Sequence, residues 1–206
     1  MTTENREAHW QQAYAGKGET GVSWFEESPD VSLALLADIG ATPASALIDV
    51  GGGASRLVDA LLRANWASIT VLDLSDTALS LAKARLGNAA ERVQWITADV
   101  TRWQPSRTYD VWHDRAAFHF LTTPQDRAAY VDRMTRALAS GAHAIIGTFA
   151  PDGPARCSGL PVMRYDAEAL AHVVGPLFTL AGRRTHVHVT PSGVSQAFQF
   201  SVLRRR

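Results

Sequence analysis

The stretch "ALIDVGGGASRL", residues 46–57, joins a short apolar run directly to three consecutive glycines. A continuous apolar run of this length is typical of a strand that is covered on both faces of a parallel sheet. Glycine costs backbone entropy and offers no side chain to a core, so three in a row indicate a place where bare backbone is needed. In open α/β sheets, ligands bind at the carboxyl ends of the strands, where this turn falls. A tight turn without a ligand is the alternative for this stretch alone.

Segments with strand and helix patterns alternate on both sides of this turn, from residue 29 onward. The predicted strands are 46–50, 68–74, 92–100, 109–114, 143–149 and a C-terminal hairpin around the turn at 191–193. The predicted helices begin near Ser28, Leu57, Ser75, Thr123 and Asp166, and those after Ser28, Ser75, Thr123 and Asp166 end at Gly40, Gly87, Gly141 and Gly175. This order predicts an α/β fold, a doubly wound sheet with helices on both faces. Residues 1–28 lie outside the alternation, so we expect an N-terminal segment over 1–28 and a single domain over 29–206.

Composition restricts the partners and the compartment. The 206 residues carry 20 Lys plus Arg and 20 Asp plus Glu, so no overall charge favours nucleic acid or an anionic membrane. No apolar run approaches membrane-spanning length, and the N-terminus lacks an apolar signal core. The single cysteine, Cys157, excludes an intrachain disulfide and fits a reducing compartment. We therefore expect a cytoplasmic protein, a monomer or weak homodimer, with a small-molecule substrate and neither a nucleic-acid nor a membrane partner.

Three acidic residues, Asp49, Asp73 and Asp99, stand at the ends of three successive predicted strands. Asp73 lies 20 residues after Gly53, the spacing at which an acid can accept hydrogen bonds from the hydroxyls of a ribose. An acid at the start of the next helix is the alternative reading of Asp73. A dinucleotide fingerprint requires a third glycine where Arg56 stands, which counts against a nicotinamide cofactor.

Five segments in this order resemble the class I S-adenosylmethionine-dependent methyltransferases: "LIDVGGGAS", "VLDLS", "ITADV", "YDVWHDRAAFHFL" and "RALASGAHAIIGTF". The resemblance covers about residues 28–203 and implies a Rossmann-like, seven-stranded, mostly parallel sheet with an antiparallel C-terminal strand. It also implies S-adenosylmethionine as the cofactor and S-adenosylhomocysteine as the product. The positions that it assigns to the cofactor are Asp49, Gly51 and Gly53 in the glycine loop, Asp73 at the ribose, Leu74, Asp99 and Val100 at the adenine, and His113 and Asp114 below the methionine part.

Five further residues are candidates for catalysis or for binding the substrate. His119 matches a histidine that the family often places near the methyl group, which makes it a candidate general base; a histidine that supports the loop is the alternative. Trp24, Arg115, Arg156 and Arg164 are candidate substrate-binding residues. A guanidinium can bind a carboxylate through two parallel hydrogen bonds, whereas solvation at the surface is the alternative role of these arginines.

The N-terminal stretch "HWQQAYAGKGETGVSWF" also resembles the leading segment of small-molecule methyltransferases, which folds over the cofactor as a lid. Trp10 and Tyr14 are four residues apart and share one face of a helix. A fixed cap on the core is the alternative. No metal site is expected, because His186 and His188 share one strand face without a further ligand at suitable spacing.

The expected function is methyl transfer to a small-molecule nucleophile, such as a thiol or a carboxylate, by in-line displacement. Three alternatives remain open: a protein lysine methyltransferase, a nicotinamide-dependent oxidoreductase and a non-catalytic adenosine-binding module.

Overall fold

A computed structural model describes residues 3–206, and its regular elements follow the predicted order. The helices are α1 (Thr3–Lys17), α2 (Asp30–Asp38), α3 (Leu57–Arg63), α4 (Asp76–Leu86), α5 (Pro124–Ala137) and α6 (Ala167–Val174). The strands are β1 (Ala46–Val50), β2 (Ser68–Asp73), β3 (Val93–Thr97), β4 (Tyr109–Arg115), β5 (Leu138–Phe149), β6 (Arg156–Cys157), β7 (Leu160–Pro161), β8 (Phe178–Val189) and β9 (Ser195–Arg205). Two short 3₁₀ helices cover Gly87–Arg92 and Phe118–Phe120.

Seven strands form one sheet in the order β3-β2-β1-β4-β5-β9-β8. The neighbours from β3 to β5 are parallel, and β9 runs antiparallel to both β5 and β8. This confirms the expected seven-stranded, mostly parallel sheet with an antiparallel C-terminal strand. β1 lies between β2 and β4, where the strand order reverses, and an open α/β sheet has its ligand crevice at such a point.

The apolar run of β1 is explained by two separate cores, one on each face of the sheet. Leu47 is fully buried in the core that α2 and α3 cover, whereas its neighbour Ile48 is fully buried in the core that α5 and α6 cover. Successive side chains of a strand point to opposite faces, so a strand covered on both sides needs apolar residues at both parities.

Some predicted boundaries are wrong. β5 begins at Leu138, directly after α5, although the sequence predicts a helix to Gly141 and a strand from residue 143. Leu138 is buried and pairs with Tyr109, so burial against the sheet extends the strand toward the helix. Ser28 does not cap α2, because its hydroxyl donates to the carboxylate of Asp30 rather than accepting from a helix N–H.

The N-terminal helix α1 packs on the start of α4 and reaches the loop after β3. Gln11 Oε1 accepts hydrogen bonds from the Thr77 N–H at 3.0 Å and from the Ser75 hydroxyl at 2.9 Å. α1 therefore contacts the ends of β2 and β3, beside the glycine loop. No helix within residues 3–206 combines the length and the apolar character needed to cross a membrane.

Candidate active site

The glycine loop after β1 is enclosed by two other parts of the chain. Gly51 and Gly53 have φ angles of +68° and +47°, in the left-handed region that glycine adopts readily. A Cβ on Gly51 would lie 2.5 Å from the Cβ of Ala117, and one on Gly53 would lie 2.6 Å from the hydroxyl of Tyr14. Bare backbone is needed here because the loop after β4 presses on one side and α1 on the other.

A cavity of about 120 Å³ lies at this edge of the sheet. Its wall combines the ends of β1 and β2, the loops after β3 and β4, and the N-terminal segment. The lining residues are Arg6, Trp10, Tyr14, Trp24, Val50, Gly51, Leu72, Asp73, Leu74, Ala98, Asp99, Val100, Arg115, Ala116, Ala117, Phe120, Leu121 and Cys157. The cavity therefore occupies the position that the glycine turn predicts.

Seven of the residues predicted from the sequence line this cavity: Gly51, Asp73, Leu74, Asp99, Val100, Trp24 and Arg115. The other seven do not: Asp49, Gly53, His113, Asp114, His119, Arg156 and Arg164. The structure thus brings the predicted ribose and adenine positions together, with two of the four candidate substrate residues.

Asp73 ends β2 and is almost fully buried at the cavity. Its Oδ1 accepts a hydrogen bond from the Ser75 N–H at 2.7 Å. Burial, helped by the negative charge of Asp49, raises the pKa of Asp73 to about 6, although backbone hydrogen bonds oppose the shift. A buried carboxylate of this kind gains from hydroxyl donors supplied by a ligand.

Asp99 follows β3 and is held on both sides. Its Oδ1 accepts hydrogen bonds from the N–H and the hydroxyl of Thr101 at 2.9 and 2.7 Å. Its Oδ2 accepts from Arg6 of α1 at 3.1 Å. The carboxylate at the predicted adenine edge is therefore paired with a cation from the N-terminal helix.

Asp49 and His113 contact each other rather than the cavity. The His113 Nδ1 and Asp49 Oδ1 are 2.7 Å apart, and the His113 Nε2 lies 2.9 Å from the Ser32 hydroxyl. All three side chains are buried. This chain of hydrogen bonds ties β1 to β4 and to α2, directly below the glycine loop.

Asp114 shapes the loop that presses on Gly51. Its carboxylate accepts a hydrogen bond from the Tyr130 hydroxyl at 2.6 Å and from the backbone N–H groups of Ala117 and Phe118 at 2.8 and 3.0 Å. Burial raises the pKa of Asp114 to about 6 despite these bonds. Its contacts explain the position of Ala117 on the cavity wall.

His119 is fully buried outside the cavity wall, and its ring packs against Phe120 and Phe149. Burial lowers the pKa of His119 to about 3. In this position its imidazole does not reach a ligand in the cavity. Arg156 and Arg164 are exposed and donate to backbone carbonyl groups of their own loop, so neither meets the cavity.

Sequence reasoning missed Arg6, Phe120, Leu121 and Cys157 as lining residues. Arg6 had a detectable signal, because it precedes Trp10 and Tyr14 at the same spacing of four and so shares their helical face. Cys157 does line the cavity, and burial raises the pKa of its thiol to about 11.

Comparison with known proteins adds to this geometry. The profile of the methyltransferase domain family matches residues 47–141. A solved S-adenosylmethionine-dependent methyltransferase from Anabaena variabilis superposes with a TM-score of 0.77 at 14% identity, over 99% of this chain and 95% of that one. The 1,6-didemethyltoxoflavin-N1-methyltransferase of Burkholderia thailandensis, solved with bound 1,6-didemethyltoxoflavin and S-adenosylhomocysteine, superposes with a TM-score of 0.73 at 19% identity, over 100% of this chain and 91% of that one.

A curated relative matches part of the chain. The mouse eEF1A lysine and N-terminal methyltransferase is 22% identical over 129 residues, which are 61% of this chain and 18% of that protein. The match thus spans less than a fifth of the mouse protein's length.

The fold is that of the class I S-adenosylmethionine-dependent methyltransferases, and residues 47–141 match the methyltransferase domain family. Both findings agree with the S-adenosylmethionine cofactor expected from the sequence. The residues present fit that cofactor, because the cavity joins a glycine loop without room for a Cβ at Gly51 and Gly53 to buried carboxylates at the ends of β2 and β3.

Proposed function

We propose that the protein transfers the methyl group of S-adenosylmethionine to a small-molecule acceptor held under its N-terminal segment. The observation that carries this proposal is the wall of the cavity. Trp10, Tyr14 and Trp24, all from the N-terminal segment, line the same space as Gly51 and Asp73. A cavity roofed by aromatic side chains suits a ligand that enters it whole better than a residue on the surface of a folded protein.

The cofactor contacts proposed from the sequence fall to the strand-end residues. Asp73 accepts hydrogen bonds from the ribose hydroxyls, and Leu74 and Val100 pack on the adenine. Asp99 accepts a hydrogen bond from the edge of the adenine and gives up part of its contact with Arg6. Asp49, His113 and Asp114 act through their own hydrogen bonds, which hold the glycine loop and the loop after β4. When bound, the cofactor supplies a methyl group that is already activated on a sulfonium, so the protein has mainly to orient the nucleophile and exclude water.

Two roles stay predictions. The general-base role of His119 requires its buried imidazole to move to the cavity. The N-terminal segment, residues 1–28, is proposed to close over the bound cofactor, and Met1 and Thr2 lie outside the described residues. Action as a monomer or weak homodimer without nucleic acid also stays a prediction, supported by the balanced charge of the chain.

Methylation of a protein lysine is the second candidate, because the mouse relative carries that activity in its name. The two candidates separate in one screen. The purified protein is incubated with S-adenosylmethionine labelled in its methyl group and with small carboxylic acids, thiols, small amines or a protein extract. Label in a small-molecule product supports the proposal, whereas label only in extracted protein supports the alternative.

A further inference from the structure

The cavity-lining residues without a proposed cofactor contact include Trp10, Trp24, Phe120, Arg115 and Cys157. The three aromatic rings form a continuous cluster, in which the Trp10 ring centre lies 5.5 Å from that of Trp24 and 4.8 Å from that of Phe120. Both contacts are edge-to-face. Such a surface favours a flat ring as its partner.

Arg115 brings the only cation among these five residues. Its Nη2 donates to the carbonyl of Trp24 at 2.8 Å. Its Nη1 is buried without a hydrogen bond and lies 3.5 Å from Glu26 Oε1. A buried N–H group without an acceptor is costly, so a ligand oxygen that accepts from Nη1 would stabilise the site.

Apart from Asp73 and Asp99, which are assigned to the cofactor, the cavity wall offers no group that readily takes a proton at neutral pH. Burial raises the pKa of the Tyr14 hydroxyl and, to about 11, that of the Cys157 thiol, so both stay protonated. His119 lies outside the wall, and no lysine or histidine lines the cavity among residues 3–206. An acceptor that must first lose a proton, such as an ammonium or an alcohol, therefore finds no free base beside the aromatic cluster.

This inference rests on the proposed function. We propose that the acceptor is a small aromatic carboxylic acid, with its ring on the cluster of Trp10, Trp24 and Phe120 and one carboxylate oxygen on Arg115. The other oxygen forms the new O–CH₃ bond with its own electron pair, and the S–CH₃ bond breaks with its pair left on sulfur. Carboxylate and sulfonium become a neutral methyl ester and a neutral thioether. No proton moves, so the step needs no base.

The test uses binding before turnover. Calorimetry on the full chain saturated with S-adenosylhomocysteine compares benzoate and 2-naphthoate with cyclohexanecarboxylate, which lacks the aromatic ring, and with benzylamine, which has the opposite charge. We expect the aromatic acids to bind about tenfold or more tightly than either comparison ligand, since an aromatic contact and a charged hydrogen bond are each lost in one of them. Labelled S-adenosylmethionine then shows whether 2-naphthoate yields its methyl ester.

Variants locate the contact. Arg115→Gln is expected to weaken 2-naphthoate binding by about tenfold or more, and Arg115→Lys to weaken it less, because lysine keeps the charge without the fork. Arg63→Gln, an exposed residue on α3, is the matched control and should change nothing. Binding of S-adenosylhomocysteine to each variant reports the fold and the cofactor site. If Arg115→Gln no longer binds S-adenosylhomocysteine, the proposal is tested instead by 2-naphthoate binding to Arg115→Lys and by the comparison of ligands on the unaltered chain.

The outcomes separate the two proposals. Any of three results overturns the proposal of an aromatic acid. Benzylamine or cyclohexanecarboxylate binds as tightly as the aromatic acids or more tightly, no acid binds, or acid binding is unchanged in Arg115→Gln. An amine or thiol methylated in the earlier screen, with no acid methylated, also overturns it but leaves the proposed function standing. Failure of the unaltered chain to bind S-adenosylhomocysteine would instead remove the proposed function.

Discussion

Arg6 donates a hydrogen bond to Asp99 across 93 positions of the chain, at 3.1 Å, and both side chains are largely buried. The pair joins the N-terminal helix to the loop after β3. A buried hydrogen bond between charged groups contributes about 1.5–3 kcal/mol. Docking of α1 on the domain therefore depends on a carboxylate that is also the proposed adenine contact.

Arg6→Ala should loosen α1 in the free protein. Loss of the bond is expected to raise the opening equilibrium of the helix by about tenfold or more, so that amides in residues 5–17 exchange faster. Hydrogen-exchange mass spectrometry measures this directly. Arg102→Ala removes an exposed arginine close to Asp99 and serves as the control. Unchanged exchange in α1 of the Arg6 variant would show that the pair does not hold the helix.

A lid and a fixed cap differ in how the N-terminal segment responds to ligand. Gly16, Gly18 and Gly21 interrupt its aromatic residues and allow it to move. We expect amide exchange in residues 8–26 to slow when S-adenosylhomocysteine is added, as for a segment that closes over its ligand. Deletion of residues 1–26 should abolish turnover and leave a cooperative melting transition. Equal exchange in both states, or a truncated chain that no longer folds, would identify a fixed cap.

Asp73 should make the free energy of unfolding depend on pH. Its folded pKa of about 6 exceeds its ordinary value of 3.8, so its contribution to stability is present below about pH 4 and is lost as the pH rises to about 6. Since one pKa unit corresponds to about 1.4 kcal/mol, the loss is of the order of 3 kcal/mol. Asp73→Asn does not ionise, so its stability relative to the unaltered protein should rise between pH 4 and 7. Urea unfolding at several pH values tests this, and the exposed Asp152→Asn should show a constant difference.

The same carboxylate should govern cofactor affinity. If Asp73 accepts hydrogen bonds from the ribose, Asp73→Ala lowers the affinity for S-adenosylhomocysteine by about tenfold or more at neutral pH. The affinity of the unaltered protein should also fall as the pH is lowered through about 6, because protonation removes the charge of the acceptor. Calorimetry gives both values. An affinity that is independent of both changes would return Asp73 to the role of an acid at the start of α4.

Gly53 and Gly87 form a matched pair for the glycine loop. Both have left-handed φ angles, +47° and +56°, but a Cβ on Gly87 meets nothing within 4 Å, whereas one on Gly53 approaches the Tyr14 hydroxyl at 2.6 Å. Gly87 has φ +56° and ψ −134°, a conformation that side chains avoid, so Gly87→Ala should cost about 1–3 kcal/mol of backbone strain and lower Tm by a few degrees. Gly53→Ala should lower Tm further and weaken cofactor binding, because the methyl group also displaces α1. Equal effects of the two substitutions would show that only backbone strain matters.

The sheet was predictable because burial on two faces leaves a local trace in each strand, as in the apolar run of β1. The residues at the strand ends were predictable too: Asp73 ends β2, Asp99 lies two residues after β3, and parallel strands bring their carboxyl ends to one edge. His119 was harder to place. Its position after β4 is visible in the sequence, but the direction of its ring depends on its packing against Phe149, which is distant in the chain.

The contacts of the N-terminal segment show the same limit. The spacing of Trp10 and Tyr14 predicts one helical face, yet nothing local indicates that the face meets Gly53, or that Arg6 reaches Asp99. Both partners are fixed by the tertiary fold. The start of β5 at Leu138 has the same origin, since pairing with β4 decides it.

The division of the cavity wall has an evolutionary consequence. The ends of β1 and β2 and the loop after β3 form one part of it, whereas Trp10, Tyr14 and Trp24 come from a stretch of about fifteen residues outside the sheet. Changes within that stretch alter the shape of the cavity and leave the strand pairing intact. Under the proposed function, a lineage can therefore exchange one acceptor for another by varying this short stretch, and a laboratory library confined to it samples new acceptors while the buried sheet stays unchanged.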